Sequence, residues 1–253
     1  MTRQLFIITG ASRGMGAAIA EQLLAGPDRT LLGISRRTND ALAAKAQAVG
    51  AACEQWTMDL AEPLGVASRL QAWLDDLDGE DFAAASLINN AGMLTRIGAL
   101  EHCTSEELSA ALRAGLEAPL LLTAAFLRAT ASWPGERRVL NISSGLGRRA
   151  MAGQATYCAA KAGMDHLSRA VALDQAELAH GATIVSLAPG VIDTDMQVQL
   201  RSADGEGFPE QGNFVRLKEA GQLTSSRDAA ARVIAYLGRT DFGASPVADV
   251  RDA

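Results

Sequence analysis

At 253 residues, 48% of them hydrophobic and 21% charged, the chain has enough apolar material for one large core and is too apolar for intrinsic disorder. A net charge of -6 argues against a sequence-independent nucleic-acid binder, so each arginine cluster has to be read locally. Cys53, Cys103 and Cys158 are widely spaced with no CxxC pattern and read as reduced thiols. With His102, His166 and His180 equally scattered, no metal-ligand spacing arises and no metal is expected. The chain enters its first strand at Leu5 without a signal-peptide apolar region, and apolar runs such as Pro119–Leu127 are too short to span a bilayer. The expectation is a cytoplasmic protein with neither membrane nor nucleic-acid partners.

In chain order, short apolar runs alternate with longer helical ones. Leu5–Thr9, Thr30–Ser35, Ala52–Met58, Ala84–Asn89, Arg138–Ser143 and Thr183–Leu187 read as strands. Met15–Leu24, Ala41–Val49, Val66–Leu77, Glu106–Ala129 and Tyr157–Ala179 carry helical periodicity between them. The alternation predicts an α/β fold: one doubly wound parallel sheet of about seven strands, with helices on both faces and right-handed crossovers. Past the Ala188-Pro189-Gly190 turn, Asp195–Gly221 is polar and glycine-rich and reads as a mobile lid with short helices. Ser226–Leu237 is a further helix and Val247–Val250 a last short strand. Residues 1–253 form one predicted domain.

The first strand meets the first helix at Thr9-Gly10-Ala11-Ser12-Arg13-Gly14-Met15-Gly16. Glycines there permit a sharp turn, close backbone approach to a pyrophosphate and tight helix–strand packing, while the helix N-terminus favours an anion. The position at the start of a βαβ unit predicts dinucleotide binding through Gly10, Ser12, Arg13, Gly14, Met15 and Gly16. The second strand ends Ser35-Arg36-Arg37, where an NAD enzyme usually places an acid for the ribose hydroxyls. With that acid missing and Arg36, Arg37 and Arg13 at hand, a 2′-phosphate is the better match, and the expected cofactor is NADP(H). Asp59, beside Leu60 at the end of the third strand, either accepts from the adenine amino group or caps its own turn.

Tyr157 and Lys161 lie four residues apart in a helical segment and share a face. A nearby ammonium is expected to lower the phenol's titration point and suit it to passing a proton to or from an alcohol or carbonyl oxygen. Ser144, at the end of the fifth strand, is placed to hydrogen-bond the reacting oxygen, with Ser143 the more structural neighbour.

These residues together resemble the short-chain dehydrogenase/reductase family over nearly the whole chain. Thr9–Gly16 matches its glycine motif, and Asn89-Asn90-Ala91-Gly92 its segment after the fourth strand. Ser144, Tyr157 and Lys161 match its catalytic serine, tyrosine and lysine. Pro189-Gly190-Val191 and Thr194 match the stretch that contacts the nicotinamide carboxamide. The resemblance implies that Asn89, Ala91 and Gly92 line the cofactor cleft and that Lys161 holds the nicotinamide ribose. It implies that Tyr157 protonates a carbonyl oxygen as hydride reaches the carbon. It also implies a homodimer or homotetramer built through Glu106–Ala129 and Tyr157–Ala179. One departure stands out: Gly115 occupies the place of the family's asparagine, which supports a water relay to the lysine. The glycine keeps the backbone carbonyl and permits a helix kink.

Within the family, Ala188–Gln197 and Leu217–Leu223 are similar to the sepiapterin reductases and bacterial benzil reductases, which implies a small aromatic or pterin-like vicinal dicarbonyl as ketone substrate. Asp249 falls where the former carry a pterin-anchoring aspartate, or else belongs to an acidic tail with Asp252. Met93, Leu94, Leu146, Met151, Val191 and Met196 flank the motifs as an apolar pocket or as ordinary core; Leu146, Met151, Met196 and Asp249 are the predicted substrate contacts. Two alternatives stay open. One is a dinucleotide sensor without catalysis, which only Gly115 favours; the other is a dehydrogenase for hydroxysteroid or hydroxyacyl groups.

Overall fold

The computed structural model describes residues 3–252. Its seven strands are β1 (Arg3–Thr9), β2 (Arg29–Ser35), β3 (Ala52–Thr57), β4 (Phe82–Asn89), β5 (Glu136–Ile142), β6 (Thr183–Ala188) and β7 (Val247–Asp249). They pair in the order β3-β2-β1-β4-β5-β6-β7, parallel throughout. The chain leaves β1 in one direction for β2 and later returns to β1's other edge as β4. The crevice beyond the carboxyl ends of β1 and β4 is therefore the switch point where such sheets bind ligands.

Both faces of the sheet are covered, which is why its strands read as unbroken apolar runs. Along β1, Phe6 and Ile8 face one core and Leu5 and Ile7 the other. The first core is closed by α1 (Gly14–Leu23), α2 (Asp40–Val49) and a C-terminal helix over Ser226–Leu237, through Ile19, Leu42 and Val233. The second is closed by α3 (Pro63–Asp75) and the run Ser105–Ala129, through Leu70, Leu122 and Phe126. Burying each such side chain contributes roughly 1.5–3 kcal/mol. Local signals start and stop these helices. The Asn39 side chain accepts from Ala41 N at 3.1 Å and left-handed Gly50 ends α2, while a Thr104–Glu107 capping box opens the run at Ser105.

That run is one continuous helix, as its periodicity predicts, with a wider turn inside it. It consists of α4 (Ser105–Leu112), a π-helical turn over Arg113–Glu117 and α5 (Ala118–Ala129). The wide turn is centred on Gly115 and followed by Pro119, the residue types that loosen a helical ladder. Taken across the turn, its 25 residues meet the length and composition of a bilayer span, which the separate apolar runs do not suggest. Half of the apolar window is buried, with Ala118, Leu122 and Phe126 packed on the sheet, as in a core helix.

After β5 comes α6 (Ala155–Ala176), and after β6 the predicted lid, built from α7 (Asp195–Arg201) and α8 (Gln211–Glu219), before α9 (Ser226–Leu237). Apolar packing and hydrogen bonds seat the lid. Phe208 is fully buried and stacks on Phe214. With Leu200 and Met151 it nucleates a third apolar cluster. At the lid's base, Thr224 N donates to Val191 O and Asp193 N to Thr224 O, both at 2.9 Å. Asp193 also pairs with Lys218 at 2.6 Å, joining the base to α8.

Candidate active site

The glycine turn fits a dinucleotide's phosphates. Gly10 and Gly14 have φ of 72° and 56°, in the left-handed region. Gly16 packs so tightly that a Cβ there would overlap the Gly10 carbonyl oxygen and the Asn90 carboxamide. The N-terminus of α1 has no capping side chain and no acid in its first turn, so its N–H groups are free for an anion. Met15 points its side chain into the core and offers the cleft only its backbone; Ser12 is half-buried beside it.

Asn90 is the residue that sequence reasoning passed over. Its N–H and that of Ala91 donate to Thr9 Oγ1 at 2.9 and 3.0 Å, and its Nδ2 donates to Thr9 O at 3.0 Å. The ends of β1 and β4 are thereby locked at the crevice. Asn89 plays a different part from the expected one. It is buried and donates to Asn141 Oδ1 at 2.8 Å and Thr123 Oγ1 at 3.3 Å, tying β4 to β5 and to the helix over Ala118–Ala129 below the cleft.

At the end of β2, Arg36 and Arg37 are exposed, while Ser35 beneath them has a buried hydroxyl with no partner. Arg13, by contrast, pairs with Asp195 at the start of α7, linking the glycine turn to the lid. Asp59 Oδ1 accepts from Ala61 N at 2.9 Å, the turn-capping alternative, and Leu60 is core. Thr194 lies over the glycine turn, its Cγ2 4.0 Å from where a Gly14 Cβ would be. Pro189, Gly190 (φ 84°) and exposed Val191 carry the chain to it from β6.

The catalytic candidates meet at the end of β5. Lys161 is 4% exposed and donates from Nζ to the Ile142 carbonyl at 2.7 Å, with Nζ 5.6 Å from the Tyr157 ring centroid. Gly92 sits directly above it, a Cβ there falling 3.8 Å from Nζ. Ser144 caps the short turn Gly145–Gly147 by accepting from Leu146 N at 3.2 Å. Ser143 is buried with its hydroxyl unpartnered. The Gly115 π-turn packs on this helix: a Cβ at 115 would lie 3.2 Å from Ala160 Cβ, so the family's asparagine would press on the residue next to Lys161.

The electrostatics reverse one expectation. Burial pushes the Tyr157 phenol up to about 12 instead of Lys161 drawing it down; the Ser144 hydroxyl offsets part of the rise and Cys158 adds to it. Burial pulls Lys161 down to about 8, and the Asp165 carboxylate acts against that fall. The phenol therefore remains a proton donor throughout the physiological range, the form that a reduction needs, and the titrating member of the pair is the lysine. If the ammonium is required, activity in the reductive direction should hold below about pH 8 and fall above it. An initial-rate profile from pH 6 to 10 checks this, and Lys161→Met should lack that limb.

Asp165, one turn beyond Lys161 and 1% exposed, was not foreseen. It accepts from Ser186 Oγ at 2.6 Å and lies 3.3 Å from Arg148 Nε. Arg148 in turn reaches Asp249, whose oxygens are already held by Arg251 at 2.6 and 2.8 Å, keeping its carboxyl below the usual range. Asp249 is thus an ion-pair centre at the sheet's end, and anchoring a ligand there would require those pairs to open. The other three predicted substrate residues do gather: Met151, Leu146 and Met196 share one cluster with Leu94, Ile97, Cys158 and Phe214. Leu94 was among the expected pocket residues; Ile97 and Phe214, from segments distant in sequence, had no local motif to mark them.

A family model described as short chain dehydrogenase matches residues 4–205. The chain is 35% identical over 236 residues to a benzil reductase ((S)-benzoin forming) of Bacillus cereus, covering 93% of this chain and 94% of that protein. It is 31% identical over 257 residues to a sepiapterin reductase of Meriones unguiculatus, covering 97% and 95%. A 3-oxoacyl-[acyl-carrier protein] reductase from Brucella melitensis, solved in complex with NAD, superposes with a TM-score of 0.80 over 99% of this chain and 96% of that one. At 23% identity that likeness speaks to the fold alone. With its glycine turn, its Ser144, Tyr157 and Lys161 at one strand end and these relatives along nearly its whole length, the chain belongs to the short-chain dehydrogenase/reductase family of nicotinamide-dependent oxidoreductases.

Proposed function

We propose that the protein is an NADPH-dependent carbonyl reductase that reduces one ketone of a small aromatic or pterin-like vicinal dicarbonyl. The observation that carries this reading is the donor pair beside an apolar cluster. Tyr157, still protonated at neutral pH, stands with Ser144 next to the Met151, Leu146 and Met196 surface, which suits a flat ring system better than a charged carrier. The dinucleotide, when bound, supplies the hydride. Lys161 is placed to hold its ribose, and Ser144 and Tyr157 to donate to the ketone oxygen. As the carbonyl carbon is reduced, the phenolic proton passes to that oxygen. The phenolate left behind is favoured by the Ser144 hydroxyl.

Purified protein with NADPH and benzil, or with a pterin diketone, should consume the reduced nicotinamide. Absence of turnover across a broad ketone panel would sink the proposal. Tight NADPH binding with no ketone reduced would favour the sensor, and 3-oxoacyl thioesters reduced faster than any diketone would favour the hydroxyacyl reading.

The NADPH preference rests on Arg36 and Arg37, since Arg13 is engaged by Asp195. Losing a guanidinium–phosphate pair costs about 1.5–3 kcal/mol. Arg36→Ala should accordingly raise the KM for NADPH about 10–100-fold and leave that for NADH nearly unchanged. The comparison of the two constants is the measurement. Self-association is part of the same proposal, with Leu112 and Leu120 on the Ser105–Ala129 run and Leu173 on α6 standing exposed. So is a cytoplasmic location.

A further inference from the structure

At the opposite end of the sheet from Tyr157, where β5 and β6 begin, a cavity of about 510 Å³ opens between Gly135, Arg137, the end of α6 at Gln175 and His180, Thr183 and Gly243. Arg137 is 6% exposed. Among the described residues its guanidinium has no hydrogen bond and no ion pair. The single acid lining the cavity, Glu136, is taken by Arg138 at 2.8 Å on the other face of the strand. A guanidinium does not shed its proton at physiological pH, so its charge, without a protein counter-charge, meets only the cavity, where an anion would be favoured. Burial pulls Arg137 down from its ordinary value. Gln175 Oε1 accepts from Ala182 N at 3.0 Å, which leaves its amide NH2 as a second donor at the cavity. His180 and the Thr183 hydroxyl complete a wall rich in donors.

We propose that this cavity is a second binding site, for a small molecule bearing an oxyanion, carboxylate or phosphate, seated on Arg137 and separate from the dinucleotide crevice. The planar fork of five N–H donors matches two oxygens of such a group, and the volume is that of a metabolite site. The site lies outside the Tyr157–Lys161 machinery, so it does not depend on the substrate assigned there.

The test is thermal denaturation of the full chain in buffer free of oxyanions, titrated with inorganic phosphate or with succinate against sodium chloride of equal ionic strength. Wild type should show a saturable rise in Tm of about 3 °C at ten times the Kd. Arg137→Leu and Arg137→Gln should lose that rise while keeping NADPH binding. Phosphate held at the glycine turn would appear equally in both proteins and cancels. Whichever probe acts identifies the group. Before any anion is added, Arg137→Leu should melt no lower than wild type, because the change removes an unpaired charge. The proposal is overturned if phosphate and succinate do no more than chloride, or if the variants respond as wild type does. A large loss of stability in both variants without added anion overturns it too, since the guanidinium would then already have a partner. Dissociation of an oligomer by both variants would instead assign Arg137 to a second copy of the chain, and equally overturns it.

Discussion

Tyr157→Phe should abolish ketone reduction while leaving the dinucleotide bound. The substitution removes one oxygen and little else, because the ring stays beside Lys161 Nζ and the hydroxyl meets the Ser144 side chain, not the backbone of the fold. What is lost is the only phenolic O–H at the end of β5, and with it general-acid assistance worth about 10²–10⁴ in rate. The loss should fall on kcat and kcat/KM alike, as expected for an interaction made in the transition state, with NADPH affinity near wild type. Fluorescence titration of NADPH and steady-state kinetics on one preparation separate the two. A variant that keeps full rate would show that the proton comes from elsewhere.

Gly16→Ala should be nearly as damaging, for a steric reason. The added methyl would fall on the Gly10 carbonyl oxygen and on the Asn90 Nδ2 that ties β4 to Thr9. Neither can move freely: one is the backbone of the phosphate turn, the other the lock between the two strands at the crevice. The first turn of α1 must shift outward instead, taking with it the N–H groups aimed at the phosphates. NADPH binding should weaken, a misplacement of about 1 Å should cost about 100-fold in turnover, and overpacking adds about 1–3 kcal/mol of instability. Gly65→Ala is the control. It lies in α3 with nothing within 4 Å of a built Cβ, so it should be neutral or raise stability by about 0.4–1 kcal/mol. Calorimetric titration with NADPH and a melting curve on both variants decide the matter.

The elements and the meeting of Ser144, Tyr157 and Lys161 at the end of β5 were readable because their signals are local. Strand and helix alternate with clear period along the chain, the glycines of residues 10–16 sit at one βα junction, and Tyr157 and Lys161 are one helical turn apart. The same reasoning explains why the helix over Ser105–Ala129 was legible and its π turn was not. Periodicity registers a helix but not a widened turn within it, although Gly115 followed by Pro119 held the clue. Long-range partners were out of reach. Nothing near Asp165 in sequence announces Arg148, and nothing near Arg13 announces Asp195. Asn89 and Asn90 are adjacent and chemically identical, yet the pleat turns one into the sheet's interior and the other onto Thr9. The direction of the Tyr157 shift was misjudged because a charge four residues away is visible in sequence, whereas burial of the site is not. The lid shows the same limit: its composition gave no sign that Phe208 would be buried and stacked on Phe214.

The most direct measurement of the account is a crystal structure of the ternary complex with NADP⁺ and benzil. The account requires the ketone oxygen to lie within hydrogen-bond distance of both the Tyr157 hydroxyl and the Ser144 hydroxyl, with the rings against Met151, Leu146 and Met196. A diketone bound with its oxygens turned away from Tyr157, or seated outside the crevice between β1 and β4, would contradict it.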